Sequence, residues 1–136
     1  MSLNDEDRKI LVKYQLEKAE DFYAKALRIA QSGDWDTAAN RLYYSLYHAA
    51  SALLLSDGIQ KKTHKGFINQ IHMHYVLTGK LDKEEGRLLQ KMFTLRHEGD
   101  YEVFITVTEE DINDCIPPVR ALLDKLIALN EMAQKK

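Results

Sequence analysis

The sequence predicts an all-α fold, an up-and-down helical bundle of about five helices in one domain spanning residues 1–136. Three observations predict it. The stretch Ala38–Ser56 is apolar or aromatic nearly all round a helix. Capping residues stand just ahead of the other apolar-periodic segments. Six Gly and two Pro in 136 residues leave little chain for turns, which suits few, long helices.

In the central stretch, Ala38, Ala39, Leu42, Tyr43, Leu46, Ala49, Ala50, Leu53 and Leu54 recur at helical spacing. From Leu42 to Ser56 no side chain is reliably charged at neutral pH. The opposite side offers Asn40, Tyr44, Tyr47, His48, Ser51 and Leu55 in place of a charged face. Such a helix is buried on several sides, and its polar groups need partners. Those groups satisfy one another, line a pocket or meet a second subunit.

The first helix is expected from Asp5 to Gln31, with Asn4 as its cap and Asp7 in the place of the capping-box acid. Leu11, Tyr14, Phe22, Tyr23, Ala26, Leu27 and Ala30 read as its apolar stripe, and Lys13, Glu17, Lys18, Glu20, Asp21 and Lys25 as a solvated face. Ser32-Gly33 ends it and Asp34 caps the central helix, a connection short enough to make the two antiparallel neighbours. Asp57-Gly58 ends the central helix. The loop Gln60–Gly66 is the most basic stretch of the chain. It reads either as an anion site or as a solvated loop with an ordinary cap at Thr63. A third helix is expected from His64 to Leu77. Its His72 and His74 diverge by about 200° on an α-helix, which cannot place both on one metal. Asp82 with Glu85 opens a fourth helix that ends around Arg96–Gly99. Asp100–Val107 alternates like a strand, but a lone strand is not stable, so it reads as an extended connection. Thr108 and Asp111 open the last helix, which Pro117-Pro118 should kink or split.

Composition limits function. The formal charge is −2, which argues against a generally basic nucleic-acid binder while leaving room for a local patch. The single cysteine, Cys115, excludes an internal disulfide framework and sits as a buried wall residue of the last helix. The charged, polar first residues do not make a signal peptide, and the longest uncharged run falls short of the ~18 residues of a membrane span. A cytoplasmic protein without membrane contact, cofactor or metal is the expectation. No Gly-rich phosphate loop, His-Glu-x-x-His or Ser-His-Asp set stands out.

Three segments carry a resemblance. Arg41-Leu42-Tyr43-Tyr44-Ser45-Leu46-Tyr47-His48-Ala49-Ala50 is similar to an R-x-Y-Y-x-x-[FY]-H-A-A signature. Lys62-Thr63-His64-Lys65-Gly66 follows, with Tyr75–Leu81 after it. Gly86-Arg87-Leu88-Leu89 then leads into Arg96-His97-Glu98-Gly99-Asp100-Tyr101, an R-x-x-x-D-Y ending. In this order and spacing, from about Asp34 to Tyr101, the chain resembles the small stand-alone prokaryotic members of the HEPN domain superfamily. The resemblance implies a helical bundle, a homodimer, and pairing with a minimal nucleotidyltransferase in a toxin–antitoxin or defence-type system. It also implies RNA or nucleotide binding at a dimer cleft. The nucleotide- or RNA-binding candidates are Asn40, Arg41, Tyr44, Lys62, His64, Lys65 and Arg96.

Active members of that superfamily are metal-independent ribonucleases with an R-x4-6-H motif. Here the positions counted from Arg96 hold Tyr101, Glu102 and Val103, so the motif is incomplete. Metal-free RNA cleavage needs a base, an acid and a cation for the phosphorane. Arginine suits the last role with its fixed charge and bidentate fork. The catalytic candidates are Arg96, Asp100, Tyr101 and His48. Asp100 at i+4 from Arg96 would alternatively pair with it as a helix-end clamp. A partner protein, a ribonuclease with a variant site and a structural dimeric adaptor without a nucleotide site are the three readings.

Overall fold

The structure is a computed structural model describing residues 4–96 and 106–135, with the side chains of His64 and Lys65 outside that set. Among the described residues five α-helices form the bundle: α1 (Asp5–Gln31), α2 (Trp35–Ser56), α3 (His64–Ile71), α4 (Lys83–Leu95) and α5 (Glu109–Gln134). No strand occurs among the described residues. No described helix is long and apolar enough to cross a membrane.

The helix starts follow from local chemistry. Asn4 Oδ1 accepts from the Asp7 N–H at 2.8 Å, and Asp34 Oδ1 accepts from the Thr37 N–H. Full capping boxes open α4, through Asp82 and Glu85, and α5, through Thr108 and Asp111. Gly33 takes φ +85° at the end of α1, a conformation that side chains resist.

α2 is the axis of the bundle and packs against α1, α4 and α5. All nine apolar residues predicted for its inner side are buried. The α1–α2 pair is antiparallel, since Gln15 meets His48, Ala19 meets Ser45 and Phe22 meets Tyr44. Alanines at 19 and 26 let the two backbones approach. The buried Ser45 hydroxyl donates to the Ala19 carbonyl at 2.7 Å, so this close approach strands no polar group. α5 closes the core with Ile112, Cys115, Val119, Leu122, Leu123 and Leu126. Burial raises the Cys115 thiol pKa, which keeps it protonated and inert. Arg120 ties α5 to Glu20 of α1, and Lys125 ties it to Glu85 of α4.

Three expectations are corrected. The third helix does not run as an α-helix to Leu77: after Ile71 the chain makes a π-helical turn, His72–Val76. That turn lets the buried Tyr75 hydroxyl reach Asp57 Oδ2 at the end of α2, at 2.6 Å. Of the kink or split expected at Pro117-Pro118, the split does not occur, and α5 runs as one helix. The carbonyls that lose their donors belong to Asn113 and Asp114, which are exposed and can bond water. The stripe of α1 is also placed differently. Leu11 and Tyr14 are 40% and 55% exposed, whereas Val12 and Ala19 face the core. α4 ends at Leu95 with Arg96 as its C-cap, at the near edge of the expected end. The extended connection is described only at Thr106 and Val107, and Val107 is buried.

Candidate nucleic-acid interface

The outward face of α2 lies beside the exposed flank of α1 and carries a run of half-buried rings. Tyr44 packs edge-on against Tyr43 and Tyr47, with centroids 5.0 and 5.6 Å away. Phe22 of α1 approaches Tyr44 at 6.4 Å and stacks on His48 at 5.2 Å with 17° between the ring planes. Cations border these rings. Lys61 lies 4.4 Å over Tyr47, and Lys18, Lys25 and Arg41 lie 5.4–5.9 Å from the Phe22 centroid. The rings are apolar and aromatic, and the cations give them a positive edge. Bases stack on such rings and phosphates meet such cations, a combination suited to unpaired nucleic acid.

At one end of this face α2 meets the end of α4. Asn40 Nδ2 donates to the Arg96 carbonyl at 3.0 Å, and Asn40 Oδ1 accepts from Arg41 Nη1 at 2.5 Å. The Arg96 guanidinium lies 4.4 Å over Phe93 and 5.7 Å from the Tyr43 centroid. Of the predicted site residues, Asn40, Arg41, Tyr44 and Arg96 therefore gather at one junction. Asp100 and Tyr101 lie outside the described residues, as does the expected Arg96–Asp100 pairing. The side chains of His64 and Lys65 lie outside them too. Lys62 sits on an exposed loop, where its N–H donates to Gln70 Oε1. Its neighbour Lys61 is the residue that reaches the ring face. Phe22, Gln15 and Lys18 are not site residues in the sequence reading, and Lys61 enters it only as part of the basic loop Gln60–Gly66. For the three α1 residues the only signal is helical phase relative to Tyr44 and His48, which has meaning once the packing of α1 is known.

His48 lies two turns along α2 from Asn40, about 12 Å by helical rise. It contacts Gln15, Phe22 and Tyr47 and does not supply an imidazole beside Asn40 and the α4 end. Nδ1 lies 2.6 Å from Gln15 Oε1, an oxygen that only accepts, so this pair holds the Nδ1–H tautomer. Burial first, and then the charges of Lys18 and Lys61, lower its pKa from 6.5 to about 4. The ring is therefore neutral at physiological pH, which makes it a poor proton donor to a leaving group. The expected titration, followed by the ring proton signals in NMR, has its midpoint near 4. Because the folded value lies below the unfolded one, His48 contributes stability above pH 6.5 that is lost as the pH falls through 6.5 toward 4. With solvent screening discounted, the loss is on the order of 1–2 kcal/mol. His48→Gln should flatten that limb of the stability profile; an unchanged limb, or a midpoint near 6.5, would refute the burial account.

A separate groove of about 860 Å³ lies between α1 and α5, floored by Val12, Leu16 and Ile127. Its rim mixes Lys9 and Lys13 with Glu17 and Glu20 and converges on no reactive group.

Fold and face together define an all-α bundle with an aromatic, cation-bordered surface along its axial helix. The family profile of the HEPN domain matches residues 12–130, and the chain belongs to that family. It is 30% identical over 129 residues to a UPF0332 protein of Thermotoga maritima, covering 95% of this chain and 96% of that one. It is 29% identical over 111 residues to a Methanocaldococcus jannaschii protein named "Putative toxin MJ0605", covering 82% of each chain. A second protein of that organism, named "Putative toxin MJ0142", is 29% identical over 96 residues, covering 71% of this chain and 65% of that one.

Proposed function

We propose that this chain is the HEPN member of a toxin–antitoxin or defence-type pair, with a minimal nucleotidyltransferase as its partner. In this reading it forms a two-fold dimer and binds RNA or a nucleotide in the cleft, bordered by Asn40, Tyr44, His48 and Arg96 of each copy. The observation that carries the binding role is the run of rings Phe22, Tyr44 and Tyr47 bordered by Lys18, Arg41 and Lys61. The toxin context is supported by the two relatives named as toxins. A dimer is favoured because α1 leaves the large apolar side chains of Leu11 and Tyr14 exposed, and such surface is seldom left uncovered. In a two-fold contact each copy brings its own arginines to the shared cleft. Binding is favoured over cleavage because the neutral His48 makes a poor proton donor.

The test uses purified protein and a single-stranded RNA, read by fluorescence anisotropy. Arg96→Ala should weaken binding about tenfold, some 1.4 kcal/mol, with the melting temperature retained. Light scattering at micromolar concentration should report a dimer. A nucleotidyltransferase encoded beside this chain should co-purify with it when both are expressed. Binding insensitive to Arg96 would remove the cleft as the site, and a monomer would remove the shared-cleft arrangement.

A further inference from the structure

We propose that Arg41 is the phosphate-contacting cation of the ring face and that Asn40 is its positioning residue. The inference rests on reading that face as an RNA or nucleotide site. Arg8, Arg87 and Arg120 each pair with a carboxylate: Asp5, Glu84, and Glu20 with Asp124. Arg41 is half-buried and pairs with no carboxylate among the described residues. Its partners are the neutral Asn40 amide at 2.5 Å and the Phe22 ring at 5.6 Å. Neither cancels its charge. The ring contact uses no N–H donor, and Asn40 engages only Nη1. The remaining N–H donors keep the planar fork that matches two oxygens of a phosphate.

Asn40 is suited to hold this arginine because both ends of its amide are used. The oxygen accepts from Arg41, while the nitrogen donates to the Arg96 carbonyl at the end of α4. The amide therefore cannot rotate without losing both bonds, and it sets the direction of Arg41 from the place where α4 stops. Aspartate has nearly the same shape but no donor for that carbonyl, and its charge would pair with Arg41. The lysines on the face lack this support. Lys25 and Lys61 are exposed and reach the rings on flexible stems. The ligand chemistry is a phosphate group, either the phosphodiester of an RNA strand or the phosphates of a free nucleotide.

The experiment titrates a short oligouridine and, separately, ATP into the wild-type protein and the variants Arg41→Lys, Arg41→Ala, Asn40→Asp and Asn40→Asp/Arg41→Ala, across a salt series. Melting temperatures confirm that each variant folds, and Arg41→Lys keeps the charge if a larger change does not. For at least one probe, Arg41→Ala should weaken binding about tenfold. If oligouridine is that probe, the log–log salt slope should fall by about 0.7. Arg41→Lys should keep the slope and lose several-fold in affinity. Asn40→Asp should reproduce most of the loss and add nothing to Arg41→Ala in the double variant, as expected of a residue acting through Arg41. A double variant that loses the product of both single effects would make Asn40 a ligand contact and overturn its positioning role. An unchanged affinity and slope in Arg41→Ala would overturn the assignment of Arg41 while leaving the face as the site. A wild-type protein that binds neither probe would overturn the reading of the face and this inference with it. Loss of oligouridine binding alone identifies RNA as the source, and loss of ATP binding alone identifies a nucleotide.

Discussion

Ala50→Lys is expected to abolish folding. Ala50 is 0% exposed in the middle of α2, the helix that packs against three others. A lysine there cannot reach water by extending its stem, because the neighbouring positions Leu46, Ala49, Leu53 and Leu54 are also sealed. An ammonium buried without a partner costs several kcal/mol, and overpacking adds about 1–3 kcal/mol more. A domain of this size has about 5–15 kcal/mol in all. Ala24→Lys on the exposed side of α1 is the matched control and should change stability by less than about 0.5 kcal/mol. Circular dichroism melts of the three proteins check the prediction. An unchanged melting temperature in Ala50→Lys would mean that α2 is not the core.

Asn130→Asp is expected to be the most damaging change that keeps the shape of a side chain. Asn130 is 0% exposed near the end of α5. Its Nδ2 donates to the carbonyls of Ala49, at 3.2 Å, and Leu126, at 2.9 Å, and its Oδ1 accepts from the Ser56 hydroxyl at 3.1 Å. One amide thus links α5 to two points on α2. An ionised aspartate would keep the Ser56 bond but place a negative oxygen against two carbonyls. At neutral pH the expected cost is about 3–5 kcal/mol. The carboxyl would hold its proton more tightly when folded than when unfolded, so the penalty shrinks as the pH falls and the group becomes neutral. Urea midpoints of variant and wild type, compared at neutral and mildly acid pH, measure both effects. A deficit that does not narrow in acid would refute a buried charge as its cause.

The bundle was largely legible in the sequence because its causes are local. The nine apolar residues of α2, the capping boxes at Asp82 and Thr108, and the α1 limits Asp5 and Gln31 depend only on near neighbours in the chain. The HEPN signature around Arg41–Ala50 was readable for the same reason. The candidate site was legible in part. Asn40, Tyr44 and His48 share one side of a helix by its period, but periodicity cannot say what that side meets. Leu11, Tyr14 and Phe22 show the difficulty, since a helix with apolar residues on two sides has no sequence mark for which side is the core.

The sequence by itself determined which segments are helical, where most of them start, and that α2 is buried on several sides. Each of those follows from side-chain spacing within a few turns. Only the tertiary structure decided that Asn40 would hold the end of α4, 56 residues further on, that Lys61 would cover Tyr47, and that Asn130 would bond to α2. It also decided that His48 would be neutral, because its pKa depends on burial against α1 and on two lysines distant in sequence. Contacts of that kind depend on how whole helices pack, and the local pattern of residues does not contain that information.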